Sequence, residues 1–214
     1  MYLFLKRAFD LFVSGLMLVI LAPLLAGIVV AIRLTSRGPA VFRQERAGKS
    51  GRPFSLYKFR TMRLAADPFG PSPKSGDDPR LTRVGRFLRE YSLDELPQLV
   101  NILKGDMSLV GPRPLYVSQM AEWDERQRKR LLVKPGLTGL AQISGRGALT
   151  REEKLELDVR YVEQARLGLD AQILLATFGR VFAHKGIYEK RYSQAECTRG
   201  RTRPDSSGDM NRGQ

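Results

Sequence analysis

The chain has 214 residues, 36 Lys or Arg against 22 Asp or Glu, and a formal net charge of +14. That length accommodates one medium domain plus an anchor, and that charge points to anionic partners: nucleic acid, anionic lipid head groups or phosphorylated small molecules. A single cysteine, Cys197, excludes an intramolecular disulfide, and a single histidine, His184, excludes any Ser-His or Cys-His mechanism that does not use it; no Cys/His cluster supports a zinc site.

Leu11 to Ile32 is a run of 22 residues without a formal charge, rich in Leu, Val and Ile. At about 1.5 Å per residue it reaches roughly 33 Å as a helix, enough to cross a hydrocarbon core. The run exceeds a signal-peptide apolar region, lacks a small-residue cleavage pattern before Arg33, and is apolar around its whole circumference, so it reads as a membrane anchor. Pro23 sits mid-run, where it removes a backbone hydrogen bond and bends the helix. Lys6 and Arg7 precede the run, and Arg33 and Arg37 follow it. The positive-inside tendency therefore favours neither spanning orientation and suits both ends on the cytoplasmic side. On these features a spanning helix and a re-entrant one are equally supported. Residues 33–63 then carry nine Lys or Arg and one acid, Glu45, a stretch attracted to anionic lipids.

Beyond the anchor, Val41–Arg46 and Phe54–Met62 pattern as two short strands, with Gly48, Ser50 and Gly51 as turn material between them. Asp67–Arg80, dense in Pro, Gly, Ser and Asp, reads as a surface loop. Helices are expected over Leu81–Tyr91, over Asp94–Leu103 with its stop at Gly105, and over Val117–Leu132. Leu149–Ala165 starts with Thr150 and Glu153 in capping-box spacing, and Asp170–Phe182 is a further, mainly apolar helix suited to a core or an interface. From Ser193 the composition is that of a disordered tail. The predicted organisation is an anchor over 1–36, one globular unit over 37–192 and a tail over 193–214, with an α+β, predominantly helical fold.

The chemistry concentrates in Ser92–Pro114, SLDELPQLVNILKGDMSLVGPRP. Ser92 and Glu95 have capping-box spacing, and acids in a first turn complement the helix dipole, so Asp94 and Glu95 have a purely structural reading. Pro97 fits that reading awkwardly, because proline is most comfortable at the first helical position. If Pro97 marks the helix start, the two acids lie in a lead-in turn with side chains free to face a ligand. Arg113, stiffened by Pro112 and Pro114, and Arg89 offer guanidinium groups suited to phosphate. Two carboxylates alone would repel a phosphate; with a divalent cation, Mg2+ being the natural choice for oxygen ligands, they would hold one. A free aspartate is also a competent nucleophile on phosphorus.

Ser92–Pro114, together with KFRTM at Lys58–Met62 and KPGLTGLAQISGR at Lys134–Arg146, resembles the bacterial sugar transferases, also called monotopic phosphoglycosyl transferases. The similarity extends from Lys6 to about Ile187 and lacks the large polytopic N-terminal region of some relatives. The resemblance implies transfer of a sugar 1-phosphate from a UDP-sugar to a polyprenyl phosphate, usually undecaprenyl phosphate, with release of UMP, at the cytoplasmic face of the bacterial inner membrane. It maps the nucleophile onto Asp94, the Mg2+ ligand onto Glu95 beside Asp94, and phosphate contacts onto Arg89 and Arg113. Arg146 and Asp158 occupy motif positions as possible substrate contacts. It further implies a re-entrant anchor broken at Pro23, although Ala22 stands where many relatives carry Ser, together with interfacial helices and a small β-hairpin. Anionic membrane lipids are expected as partners and nucleic acid is not. The competing reading is a membrane-tethered basic binding or assembly protein without catalysis, for which Asp94 and Glu95 would be dispensable.

Overall fold

The computed structural model describes residues 1–64, 66, 73 and 75–183. His184, Cys197, the expected tail and part of the Asp67–Arg80 loop lie outside the described residues. Two helices open the chain, α1 (Tyr2–Ile20) and α2 (Ala22–Thr35), bent by 61° across Leu21. Pro23 is in the first turn of α2, where a helix has no use for its missing N–H. Proline therefore starts the second helix two residues after the break instead of kinking a continuous one. Among the described residues no single helix is long and apolar enough to cross a membrane, whereas this bent pair together has the length and composition.

Helix α1 begins well before the uncharged run and is built inside out. Leu3, Phe4, Phe9, Phe12, Leu16, Val19 and Ile20 are exposed, while the buried residues are Asp10 and Ser14. The inward polar side chains are all engaged. Lys6 Nζ meets Asp170 at 2.8 Å, and Tyr2 donates to the same oxygen at 3.0 Å. Arg7 donates to the carbonyls of Ile102 and Leu103 at 2.7 and 3.1 Å, and Asp10 accepts from the Leu109 N–H at 3.0 Å. Ser14 donates to the Asp10 carbonyl.

An antiparallel hairpin follows, β1 (Val41–Ala47) with β2 (Pro53–Phe59), in register Val41↔Phe59 through Ala47↔Pro53. The strand expected to reach Met62 stops at Phe59; Met62 instead bridges Leu81. Helix α3 (Arg83–Glu90) is capped by Thr82, whose hydroxyl accepts from Gly85 N–H at 2.9 Å. Helix α4 (Gln98–Lys104) is shorter than expected and ends, as expected, at Gly105 with φ 94°. Asn101 in α4 staples the hairpin to it: its side chain donates to Ser55 O at 2.7 Å and accepts from Tyr57 N–H at 3.0 Å.

The pattern of short apolar runs does not announce the next feature, a parallel pair of three-residue strands, β3 (Ser108–Val110) and β4 (Gly136–Thr138). Between them, Val117–Leu132 is not one helix but a turn over 117–122, the single turn α5 (Glu125–Arg128) and a further turn over 129–132. Helix α6 (Leu140–Ser144) leads to α7 (Arg151–Gln164), whose Thr150–Glu153 capping box forms in both directions at 3.2 and 2.7 Å. Helix α8 (Leu167–Ala183) closes the described fold.

The main core gathers Leu56 from β2, Leu99 and Ile102 from α4, Val110 from β3, Tyr161 from α7 and Ile173 from α8, with Val13, Met17 and Leu18 of α1 packed against it. A second cluster joins Ile28 and Ile32 of α2 to Phe59, Leu88 and Leu93, the last being the residue that precedes Asp94. The expected predominantly helical α+β fold with a small hairpin is therefore present.

Gly85 marks the tightest of these packings, since a Cβ there would lie 1.9 Å from Thr61 O. Gly85→Ala is expected to destabilise the protein by about 1–3 kcal/mol through overpacking against backbone, read as a lowered thermal midpoint in detergent or lipid.

Candidate active site

Asp94 and Glu95 lie on a short 3-10 turn, Leu93–Glu95, that precedes α4. The expected Ser92–Glu95 capping box is absent: Ser92 is left-handed, with φ 56°, and its side chain does not cap. A serine at positive φ turns the chain sharply instead of starting a helix. Pro97 is then the cap position of α4, so the two acids belong to the lead-in turn.

The two carboxylates differ in their surroundings. Glu95 Oε1 accepts from Lys58 Nζ at 2.9 Å and from Arg113 Nη2 at 3.0 Å. Asp94 is 7% exposed and, among the described residues, forms no hydrogen bond or ion pair through its carboxylate. Burial pushes the Asp94 carboxyl up; Lys58 opposes this, Glu95 adds to it, and Arg89 and Arg113 pull it down. Glu95 is thus tied into a cation pair, while Asp94 is held between cations with its oxygens uncommitted.

Each cation has its own support. Lys58 sits on β2 two residues after Leu56, on the strand face that packs against α4. Arg89, in the last turn of α3, donates through Nε to Thr61 Oγ1 at 3.0 Å. Arg113 follows β3 in a loop fixed by its backbone: Gly111 N–H donates to Thr138 O at 2.9 Å and Gly136 N–H to Pro112 O at 2.8 Å. The glycines shared by GPRP and KPGLTG have a steric reason, because a Cβ on Gly136 would lie 2.1 Å from Gly111 N and one on Gly111 2.5 Å from Lys134 O. The two motifs are the facing edges of one backbone contact.

Behind that loop, Arg130 donates to Arg113 O and forms a 2.6 Å pair with Asp158, both side chains 3% exposed. Burial raises the Asp158 carboxyl, with Arg130 opposing. Asp158 therefore underpins the Arg113 loop from within the core and does not face outward as a ligand group does. Arg146 starts a short turn over 146–148, and its side chain lies outside the described residues. The structure thus gathers Asp94, Glu95, Arg89 and Arg113 and sets Asp158 behind them.

Two further cations escaped the sequence reading. Lys58 opened the KFRTM motif but was given no role of its own. Arg46 stacks its guanidinium 3.7 Å from the Tyr116 ring centroid, and burial lowers its pKa to about 10, opposed by Tyr116 and Glu95 and reinforced by Arg113. No group of three or more His, Cys, Asp or Glu suited to a metal occurs among the described residues.

Residues 1–184 match a family model described as bacterial sugar transferase. The chain is 45% identical over 192 residues to an uncharacterized sugar transferase, EpsL, of Bacillus subtilis, covering 90% of this chain and 94% of that one. It is 41% identical over 192 residues to a UDP-glucose:undecaprenyl-phosphate glucose-1-phosphate transferase of Escherichia coli, covering 86% and 41%. An undecaprenyl-phosphate galactose phosphotransferase of Salmonella typhimurium is 41% identical over 201 residues, covering 86% and 42%. The chain thus spans less than half the length of the Escherichia coli and Salmonella typhimurium relatives.

Two outcomes test the electrostatics. Asp94→Asn is expected to leave the thermal midpoint at neutral pH unchanged or higher: a carboxylate whose folded pKa is raised loses stability as pH rises through that value, and Asn removes the loss. Arg130→Met leaves Asp158 buried and unpaired and is expected to cost about 3–5 kcal/mol, most of it recovered when Asp158→Leu is added. Equal midpoints for wild type and Arg130→Met would contradict the pairing.

Proposed function

The chain belongs to the bacterial sugar transferase family, and we propose that it transfers a sugar 1-phosphate from a UDP-sugar to a polyprenyl phosphate and releases UMP. The observation that carries this reading is the division of labour between neighbouring acids. Asp94 is buried with uncommitted oxygens, and Glu95 is neutralised by Lys58 and Arg113. A cation-lined carboxylate that bonds nothing else is suited to attack an anionic phosphorus.

An Asp94 oxygen attacks the β-phosphorus, the one bearing the sugar. The new aspartyl–phosphorus bond forms as the bridge to the α-phosphate breaks, and UMP departs with the bonding electrons. A phosphate oxygen of the polyprenyl acceptor then attacks the same phosphorus. The aspartyl bond breaks, the Asp94 carboxylate returns, and a polyprenyl diphosphosugar remains. Splitting one transfer into two displacements lets each substrate in turn use the same carboxylate. Arg89 and Arg113 orient the donor phosphates and balance charge as the bond to UMP lengthens.

The Asp94–Glu95 pair offers the one or two carboxylates that Mg2+ takes, with substrate phosphates and water completing its shell; at Glu95 the ion would replace the contacts to Lys58 and Arg113. Glu95, with Asp94 beside it, would hold the ion, which would offset phosphate charge during transfer.

The anchor is proposed to be re-entrant, with both ends at the cytoplasmic face of the bacterial inner membrane. The 61° bend and the outward Phe4, Phe12, Val19, Ile20 and Val30 support this. Exposed Leu175 and Phe178 on α8 suit the same interface. Such seating brings the Asp94 turn, which rests on Ile28 and Ile32 through Leu93, to the level of a lipid phosphate.

Asp94→Asn is expected to abolish UMP release from UDP-sugars, and intact-mass measurement without acceptor is expected to find a phosphosugar adduct on the wild type only. Substantial turnover by this variant would overturn the nucleophile assignment. The acid limb of kcat/KM is expected above the ordinary Asp value of 3.8, because the attacking group must be ionised and burial raises it; Lys58→Met removes the largest opposing charge and moves the limb higher. Single cysteines replacing Tyr2 and Ser36 are expected to label from the same side of sealed vesicles, whereas a spanning helix places them on opposite sides.

A further inference from the structure

The active site has two halves on different elements. The acids lie on the turn leading into α4, and Arg113 lies in the loop leaving β3. One turn of the anchor helix touches both elements. Arg7 donates to the carbonyls of Ile102 and Leu103 in the last turn of α4, and Asp10 accepts from the N–H of Leu109 in β3. We propose that Arg7 and Asp10 are positioning residues that set the separation between the Asp94–Glu95 turn and the Arg113 loop, so that docking of the anchor helix completes the donor-phosphate site.

Three observations support this role over simple attachment. Packing alone gives α1 a purchase on the domain, since Val13, Met17 and Leu18 already meet the main core. Burying a carboxylate at 3% exposure on a single backbone N–H is an unfavourable way to add adhesion, but a directional way to fix a strand. The two contacts are also matched in sign: a cation meets carbonyls where α4 ends, and an anion meets an N–H where β3 runs. Between them the chain turns through Gly105, at φ 94°, where a Cβ would approach Arg7 Nη2 to 3.4 Å. The separation controlled in this way is reported by the 3.0 Å contact of Glu95 with Arg113, which bridges the two halves. Lys134, whose ammonium burial and the nearby Arg7 push down, flanks the same corner and precedes β4, the strand that holds the Arg113 loop.

This inference rests on the proposed sugar-phosphate transfer, and its readout is kept separate by measuring UDP binding as well as turnover. The test uses the full chain in lipid nanodiscs. Asp10→Ala is expected to weaken UDP binding and raise the KM for UDP-sugar by about tenfold or more, the size of one charge-assisted hydrogen bond. Asp10→Asn keeps an acceptor oxygen for Leu109 and is expected to restore most of the affinity. Met17→Ala, which thins the packing of the same helix, is expected to lower the thermal midpoint without moving UDP affinity. In an Arg113→Ala background, Asp10→Ala is expected to add nothing further to the loss of UDP affinity, because its effect runs through that loop. Should Asp10→Ala not fold, Arg7→Gln is read against Glu95→Gln in the same double-mutant scheme. Additive losses, or wild-type UDP affinity in Asp10→Ala or Arg7→Gln, would overturn the positioning role. Failure of the transfer reading has a different signature: UMP release that persists in Asp94→Asn.

Discussion

Helix α1 carries its charges inward and its apolar side chains outward, and the rest of the fold is arranged to satisfy the inward set. Lys6, Arg7, Asp10 and Ser14 follow one another at helical spacing and form a single stripe. Facing lipid, that stripe would leave charges unpaired at large cost. Facing the domain, it meets Asp170, the end of α4 and the edge of β3. Asp170 extends the contact inward, since Tyr161 donates to it at 2.7 Å and to Val110 O at 3.1 Å, one residue before the loop of Arg113. Helix α1 is therefore continuous with the frame that supports the Arg113 loop.

The site itself uses burial unevenly. Glu95 and its two cations form a paired cluster, whereas Asp94 sits in the same positive field with no side-chain hydrogen bond or ion pair among the described residues. Burial raises the free energy of its ionised form, and the surrounding cations keep that form accessible. That balance suits the nucleophilic role proposed for Asp94: destabilised enough to react, and compensated enough to stay charged. Asp158 solves the opposite problem. Paired with Arg130 beneath the loop, it has its charge matched by a direct ion pair, whereas that of Asp94 is matched only by the surrounding field.

Local chemistry was readable where its causes lie within a few residues. The Thr150–Glu153 capping box, the Gly105 stop, the β1–β2 turn and the proline-stiffened Arg113 loop all follow from nearest-neighbour sterics and hydrogen bonding. The Ser92–Glu95 box had the same spacing and did not form, because Pro97 placed the helix start later and Ser92 took a left-handed conformation. The Asp94–Glu95 dyad and its two arginines were legible as residue types in a motif, but Lys58 and Arg46 come from the hairpin and reach the site only through tertiary packing. The parallel β3–β4 pair was hidden for the same reason: three-residue strands carry too little periodicity, and their pairing is a long-range backbone contact that only the facing glycines betray. Asp10 was unreadable as a ligand of β3, since within an apolar helix it looks merely like the residue before an uncharged run.

The partners of the α1 stripe lie far along the chain: Leu109 is 99 residues beyond Asp10, and Asp170 is 164 beyond Lys6. At about 5–20 residues per second of synthesis, the anchor waits on the order of 5–30 s for the groups that neutralise it. During that interval Lys6, Arg7 and Asp10 lack the partners that they have in the finished fold. The helix that is made first is thus among the last to have its charges matched, and its final docking depends on the completion of nearly the whole domain.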